Sequence, residues 1–182
     1  KLKTDEELYV KKSVANHLND ISKDNTAYMI GLIKKWDHSN PHTQWIIKHA
    51  SRNLIKNGHE DSLAIFNFEK NVKVSVDKLK LDKSTIKLGE EIQFSFVVTS
   101  KKSAPQKLVI DYAVHYPKSS GSLSGKIFKL KEINLRPGES MHFTKKQLFK
   151  DLTTRKHYAG KHGIEILVNG KVMASKDFKL VI

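Results

Sequence analysis

The chain has 182 residues and a formal net charge of +14, from 33 lysines and arginines against 19 acidic residues. Its 38% hydrophobic content, with only 4 prolines and 9 glycines, excludes a wholly disordered chain. Because cysteine is absent, disulfides, thiol catalysis and cysteine-ligated metal sites are excluded. No apolar run reaches about 18 residues and no signal peptide opens the chain, so we expect a soluble, cytoplasmic protein.

The first 67 residues carry helical hydrophobic spacing. Thr4, followed by Glu7, offers a capping box for the first helix. Asn40 before Pro41 offers an N-cap with a proline in the first turn. The spacing predicts helices over about 5–22, 28–36, 41–57 and 59–66.

These helices contain an internal repeat with an offset of 36 residues. Each position of the first copy falls on its counterpart in the second: Lys12 on Lys48, Val14 on Ala50, Asn16 on Arg52, Leu18 on Leu54 and Met29 on Ile65. Such a repeat indicates a stacked helical solenoid. Since a stable stack needs about three repeats, we expect this chain to be the C-terminal piece of a longer protein.

After Phe68 the hydrophobic period changes to alternation, which indicates β-strands. Candidate strands cover about 72–76, 92–96, 107–116, 125–131, 140–148, 163–168 and 172–181. Asn169-Gly170 is a strong hairpin signal. The sequence predicts an α + β protein with two domains: a helical solenoid fragment at 1–67 and an antiparallel immunoglobulin-like β-sandwich at 68–182.

Most of the positive charge lies in the second of these regions. Residues 1–67 hold 10 basic residues against 8 acidic ones, and residues 68–182 hold 23 against 11. Strongly basic domains usually bind polyanions such as nucleic acid. The alternative is a lysine-rich surface that reflects an AT-rich proteome.

Three segments together resemble a known family: Val10 to Asp24, Trp36 to Pro41, and Trp45 to Leu54. They are similar to the bacterial DNA alkylation repair proteins, which are HEAT-like solenoid DNA glycosylases. The strand region, including Arg136-Pro-Gly138, is similar to the immunoglobulin-like domain of the AlkC-type branch. The resemblance implies hydrolysis of the N-glycosidic bond of cationic alkylated bases such as 3-methyladenine. Because most of such a solenoid is missing, we expect the 182-residue chain to be inactive alone.

Asp20 is the candidate catalytic residue. N-glycosidic cleavage builds positive charge on the sugar, and a nearby carboxylate can stabilise that charge or orient the attacking water. A carboxylate that repels phosphate needs a reason to stand among basic residues. The alternative is structural, since Asp20 near a helix end can cap or brace the following turn.

A polar row on the two repeat copies forms the candidate DNA-binding surface, made of Lys12, Asn16, Lys48, Arg52 and Lys56. Arg52 is the strongest candidate because its planar fork grips phosphate with two bonds. Trp45 offers an aromatic face to a cationic base, although packing in the core is the alternative. For the row as a whole, the alternative is a solvated helix face.

In the strand region, the candidate DNA-binding residues are Lys126, Lys129, Arg155 and His157, which cluster near turns. His38 and His42 do not share one helix, so we expect no metal site and no cofactor. The expected partner is double-stranded DNA containing alkylated bases, bound by a monomer. A noncatalytic DNA-binding scaffold and a protein-interaction module remain as alternative functions.

Overall fold

The computed structural model describes residues 2–153 and 156–182. The chain divides into two compact units, Lys1–Asn67 and Phe68–Ile182. Helices build the first unit and strands build the second. Within the described ranges, no helix has the length and apolar character needed to cross a membrane.

The helical unit contains five α-helices after a 3₁₀ turn at Leu2–Thr4. They are α1 (Leu8–Asp24), α2 (Thr26–Lys34), α3 (Pro41–Ala50), α4 (Arg52–Lys56) and α5 (Glu60–Ile65). Five helices do not by themselves establish the solenoid that the repeat predicts.

Local capping signals explain most of the helix starts. The side chain of Asn25 accepts from the N–H of Tyr28, and that of Asn40 accepts from His42 and Thr43, as expected of N-cap residues. The predicted capping box at Thr4 is wrong. Thr4 ends the 3₁₀ turn, and α1 starts at Leu8 with Glu7 as an N-cap that makes no side-chain bond.

Helices α1 and α3 lie side by side and run in the same direction. Near the start of both, Lys11 Nζ lies 3.2 Å from His42 Nδ1. Further along both, Asn19 Nδ2 donates to the carbonyl of Ala50 at 3.0 Å. Between the helices lies an apolar core made of Ala15, Leu18, Met29, Ile30, Ile33, Ile46, Ile47 and Ala50. Burial of each large member contributes about 1.5–3 kcal/mol.

The predicted helix over 41–57 is interrupted at Ser51, which separates α3 from α4. Carbonyls in the last turn of a helix lack a continuing helical partner. Asn19, only 2% exposed, donates to one of these, the Ala50 oxygen, and its own oxygen accepts from Asn53 Nδ2 at 3.1 Å. The interruption is therefore stabilised from the neighbouring helix.

The strand unit contains eight strands. They are β1 (Val74–Leu81), β2 (Thr85–Lys87), β3 (Glu91–Ser100), β4 (Gln106–Pro117), β5 (Leu123–Leu135), β6 (Ser140–Leu148), β7 (Gly160–Val168) and β8 (Lys171–Val181). One sheet has the order β1-β3-β6, and the other has the order β2-β8-β7-β4-β5. The short strand β2 was not predicted, and it pairs with β8 in parallel. The other strand pairings of the described residues are antiparallel, as predicted.

The two sheets share one apolar core. Phe94 and Phe96 of β3 contribute from the smaller sheet, and Ile110 and Val114 of β4 contribute from the larger one. Burial alternates regularly along β3, as expected of a strand with one face in the core. The unit packs without a disulfide because the sequence has no cysteine.

The predicted hairpin at Asn169-Gly170 is confirmed. Both residues have positive φ, 48° and 77°, and they join β7 to β8. The side chain of Asn169 also accepts from the N–H of Val109 at 2.8 Å and donates to the carbonyl of Glu69 at 2.8 Å. One turn residue thus fixes two other segments of the unit.

Replacing Asn19 by Ala should lower the free energy of unfolding of the helical unit by about 1–3 kcal/mol, because the substitution removes the buried amide that bonds Ala50 and Asn53. Urea denaturation followed by tryptophan fluorescence measures this, since both tryptophans, Trp36 and Trp45, lie in that unit. The exposed Asn16→Ala is the control and should change the value by less than about 0.5 kcal/mol. Equal effects of the two substitutions would contradict the role given to Asn19.

Candidate nucleic-acid interface

The parallel packing of α1 and α3 brings the two copies of the polar row together. Arg52 Nη2 donates to Asn16 Oδ1 at 3.1 Å, a contact between residues separated by the 36-residue repeat. Arg52 Nη1 donates to the carbonyl of His49 at 2.6 Å. The guanidinium is therefore held in one orientation, with further N–H groups left for an anion.

Positive charge converges beside His49. Burial lowers the pKa of its ring, and the cations of Arg52 and Lys12 lower that pKa further. Both cations therefore lie near one imidazole, and Lys12 is exposed while Arg52 is half-buried. An arrangement of two cations around a neutral ring suits a phosphate oxygen.

The structure divides the remaining members of the row. Lys48 is exposed on α3, whereas Lys56 is half-buried at the last position of α4. Because the helix is interrupted at Ser51, Lys48 and Lys56 do not follow one straight helical face as predicted.

Trp45 is half-buried and packs at the edge of the helical core. Its ring stacks on His49 with centroids 4.8 Å apart and planes at 12°. Lys11 Nζ lies 5.9 Å from the Trp45 ring. Packing thus explains much of the ring's position, and a ligand would meet only the part that stays exposed.

Asp20 is an exposed carboxylate near the end of α1. Lys23 Nζ lies 2.7 Å from its Oδ1, and that hydrogen bond lowers the pKa of Asp20, with further lowering by Arg52 and His17. Asn25, and not Asp20, caps the following helix, while the ion pair of Asp20 with Lys23 joins adjacent turns of α1, as the bracing alternative expects. A carboxylate with a lowered pKa is a weak base, so this geometry favours electrostatic stabilisation over proton abstraction.

In the strand unit, the two predicted lysines of β5 lie on opposite faces of that strand. Lys126 pairs with Val114 and Lys129 with Asp111, and residues three apart in a strand point to opposite sides. Lys126 Nζ lies 5.2 Å from the Phe128 ring, and Lys129 forms an ion pair with Glu132. They do not form a single patch.

His157 does not face solvent. Its side chain is 4% exposed, and its N–H and Nδ1 both contact Asp151 Oδ1, at 2.9 and 3.2 Å. Burial argues against the predicted contact of this ring with DNA, and we exclude His157 from the proposed DNA-binding residues. Arg155 lies outside the described residues.

His157 belongs to an aromatic cluster that also contains His162. The fully buried ring of His162 lies 5.5 Å from Phe149 and 5.4 Å from Phe178, centroid to centroid. Burial lowers the pKa of His162, although the Gly160 carbonyl opposes this effect. Among the described residues, His162 Nε2 has no hydrogen-bond partner. The fold therefore favours the neutral ring.

Sequence reasoning missed His49 and the buried contacts of Asn19 with Ala50 and Asn53. Asn19 stands 36 residues before Ile55, so a polar residue occupies a position that is apolar in the second copy. That difference was the available signal for a buried polar contact. Across residues 2–153 and 156–182, no group of three potential metal ligands converges.

Comparison with known proteins identifies a family, a relative by sequence and similar solved structures. Residues 75–182 match the family described as "Uncharacterised protein YhaZ, C-terminal Ig-like domain". Over 180 residues the chain is 43% identical to the "Uncharacterized protein YhaZ" of Bacillus subtilis. The aligned region covers 99% of this chain and 50% of that protein.

Among solved structures, the chain is similar to the Pseudomonas fluorescens alkylpurine DNA glycosylase AlkC bound to DNA containing an abasic site analog. The TM-score is 0.94 and the identity 46%, over 100% of this chain and 50% of that one. The chain thus spans about half the length of both relatives. A Listeria innocua β-glucosidase in complex with isofagomine gives a TM-score of 0.51 at 13% identity, over 62% of this chain and 16% of its own, which shows the fold alone.

The buried His162 predicts a pH dependence of stability. Its pKa in the folded state lies below the ordinary 6.5, so stability is fully present above about pH 6.5 and is lost as the pH falls from there toward the folded pKa. We expect His162→Phe to reduce the slope of melting temperature against pH in this range, measured by differential scanning calorimetry. The exposed His142→Gln should keep the wild-type slope, and an unchanged slope in His162→Phe would refute this account.

Proposed function

The chain belongs to the family of the YhaZ C-terminal Ig-like domain, and from this premise we propose that it acts in DNA repair as part of a DNA glycosylase. The observation that carries the proposal is the 46% identity and TM-score of 0.94 to an alkylpurine DNA glycosylase bound to DNA. The relative is twice as long as this chain, so the activity is proposed for this chain together with the half that the relative has in addition.

In this proposal, the helical unit, residues 1–67, supplies two repeats of a HEAT-like solenoid. The parallel packing of α1 on α3 and the contact of Asn16 with Arg52 across the 36-residue offset support it. The row formed by Lys12, Lys48 and Arg52 would face the DNA backbone, with Asn16 and Lys56 at its sides and Trp45 at its edge. The substrate is double-stranded DNA that carries a cationic alkylated base such as 3-methyladenine.

The proposed reaction is hydrolysis of the N-glycosidic bond. The N-glycosidic bond breaks, the cationic base departs as a neutral leaving group, and the sugar gains oxocarbenium character. Water then bonds to the anomeric carbon and releases one proton to solvent. Asp20 is ionised at neutral pH, since the ordinary pKa of an aspartate lies well below 7 and the hydrogen bond from Lys23 lowers it further. Its negative charge would stabilise the developing sugar cation.

The Ig-like domain, residues 68–182, would bind DNA beside the solenoid. It holds 23 basic residues against 11 acidic ones, and this excess of positive charge supports the role. Lys126 is exposed and Lys129 is half exposed, so both stay candidates, and Arg155 stays a candidate from the sequence.

Phosphate contact by the polar row predicts a specific salt dependence. Replacing Lys12 by Ala should weaken duplex binding and reduce the slope of log affinity against log salt by about 0.9, the value for one phosphate contact. Fluorescence anisotropy over a salt series measures the slope. Lys35→Ala removes another exposed lysine of the same unit and should leave the slope unchanged.

If both variants lower the slope equally, the polar row has no special role. If affinity does not depend on salt at all, the protein-interaction alternative is favoured over DNA binding.

The role of Asp20 predicts a separation of catalysis from binding. In the full-length protein, Asp20→Asn should slow release of 3-methyladenine from methylated DNA by at least about a hundredfold, because charge stabilisation in the transition state is lost. Affinity for DNA should not fall, since the change removes a negative charge. Single-turnover base release and anisotropy measure the two effects.

Asp24→Asn is the matched control, because Asp24 is the exposed last residue of the same helix. Undiminished release by Asp20→Asn would remove Asp20 from the mechanism. Absence of release by the unsubstituted protein, with binding intact, would favour the noncatalytic scaffold.

A further inference from the structure

A pocket of about 330 Å³ opens at the end of the β4–β5 hairpin in the strand unit. Its polar lining comes from two separate segments of the chain. Lys118, Ser119 and Ser124 come from the hairpin, and Lys156 and Tyr158 come from the segment before β7. Tyr116 lines its inner side.

Backbone hydrogen bonds hold the hairpin wall of this pocket. The N–H of Lys118 donates to the carbonyl of Ser122 at 2.8 Å, and the N–H of Gly121 donates to that of Lys118 at 2.9 Å. Gly121 has φ +80°, which side-chain-bearing residues rarely adopt. The turn therefore fixes the backbone at Lys118 and Ser119, whose side chains line the pocket.

The buried His157 fixes the opposite wall. Its ring packs against Tyr116 and Phe149, each 5.6 Å away between centroids, and its N–H is held by Asp151. Lys156 and Tyr158, the residues on either side, are both exposed and both line the pocket. The histidine predicted to contact a ligand thus anchors the two neighbours that face one.

The pocket has an excess of positive charge. Among the residues that the structure describes, neither Lys118 nor Lys156 forms an ion pair, and the pocket lining contains no carboxylate. Asp151 lies outside the lining: hydrogen bonds from His157 lower its pKa, and the nearby charge of Lys156 lowers that pKa further. Two ammonium groups and two serine hydroxyls are hydrogen-bond donors that suit the oxygens of a phosphate group.

Tyr158 adds an aromatic surface to these donors, since it is 42% exposed at the mouth of the pocket. Nucleobases stack on exposed aromatic side chains irrespective of sequence. A volume of about 330 Å³ lies within the usual range for small-molecule sites.

We propose that this pocket binds the phosphate group of a nucleotide, with Lys118, Lys156 and the serine hydroxyls on the phosphate and the base against Tyr158. A free nucleotide and a nucleotide in a DNA strand share this chemistry. Only the binding of a nucleotide within a DNA strand rests on the proposed function.

The test is a titration of the isotopically labelled 182-residue protein followed by NMR. Deoxyadenosine monophosphate should shift the amide signals of residues 116–124 and 156–158 saturably, inorganic phosphate should shift them less, and deoxyadenosine should not. Lys118→Met/Lys156→Met should weaken binding of the nucleotide at least about tenfold, since it removes both charge-assisted contacts. Tyr158→Phe should retain binding and Tyr158→Ala should weaken it.

Lys131→Met/Lys171→Met is the matched control. It removes two positive charges from the same sheet, one from β5 and one from β8. Lys131 pairs with Ile110 of β4, and Lys171 pairs with Val168, the β7 residue that also pairs with Ile110. Ile110 lies six residues before Tyr116 along β4, about 20 Å away at 3.3 Å per residue. This control should bind the nucleotide like the unsubstituted protein.

An equal loss of nucleotide affinity in both double variants, or shifts of amide signals outside residues 116–124 and 156–158, would overturn the proposal. Titration with a single-stranded and a duplex oligonucleotide distinguishes the sources. Nucleotide binding without duplex binding would leave the pocket intact and count against the proposed function. Duplex binding without nucleotide binding would overturn the proposal for the pocket and support the proposed function.

Discussion

The geometry of the polar row depends on one buried amide, that of Asn19. A buried amide is costly unless it is hydrogen-bonded, and the Ala50 carbonyl and the Asn53 side chain satisfy it. These bonds hold the end of α3 against α1, at the point where Ser51 separates α3 from α4. Arg52 follows directly, and its two bonds, to Asn16 and to the His49 carbonyl, depend on that placement. The amide of Asn19 therefore contributes both to the stability of the helical unit and to the arrangement of its charge.

The two units use positive charge differently. The helical unit has nearly balanced charge, yet Lys12 and Arg52 converge on His49 while Asp20 stays ionised nearby. The strand unit holds most of the excess charge and spreads part of it, since Lys126 and Lys129 lie on opposite faces of β5, whereas Lys118 and Lys156 line one pocket. Net charge alone would have directed attention to the strand unit. Local convergence is the better guide to where an anion is held in place.

Local chemistry made several elements predictable from the sequence. Asn25 and Asn40 cap helices through residues two or three positions away, and Asn169-Gly170 forms a two-residue turn, so these local roles are visible in the sequence itself. The interruption at Ser51 was not predictable, because the amide that stabilises it lies 31 residues earlier. For the candidate site, the repeat register identified Asn16 and Arg52 as counterparts. The burial of His157 depends on rings from distant strands and left no such signal.

The short parallel strand β2 has a mechanical consequence. It pairs with the end of β8, whose other edge pairs with β7, so the last strand of the chain is gripped on both sides. A pulling force on the C-terminus acts along the strand direction and loads these hydrogen bonds in shear, all at once. A strand with one free edge would oppose the same force with the hydrogen bonds of a single edge. The three residue pairs between β2 and β8 therefore add to the resistance of the last strand against such a pull.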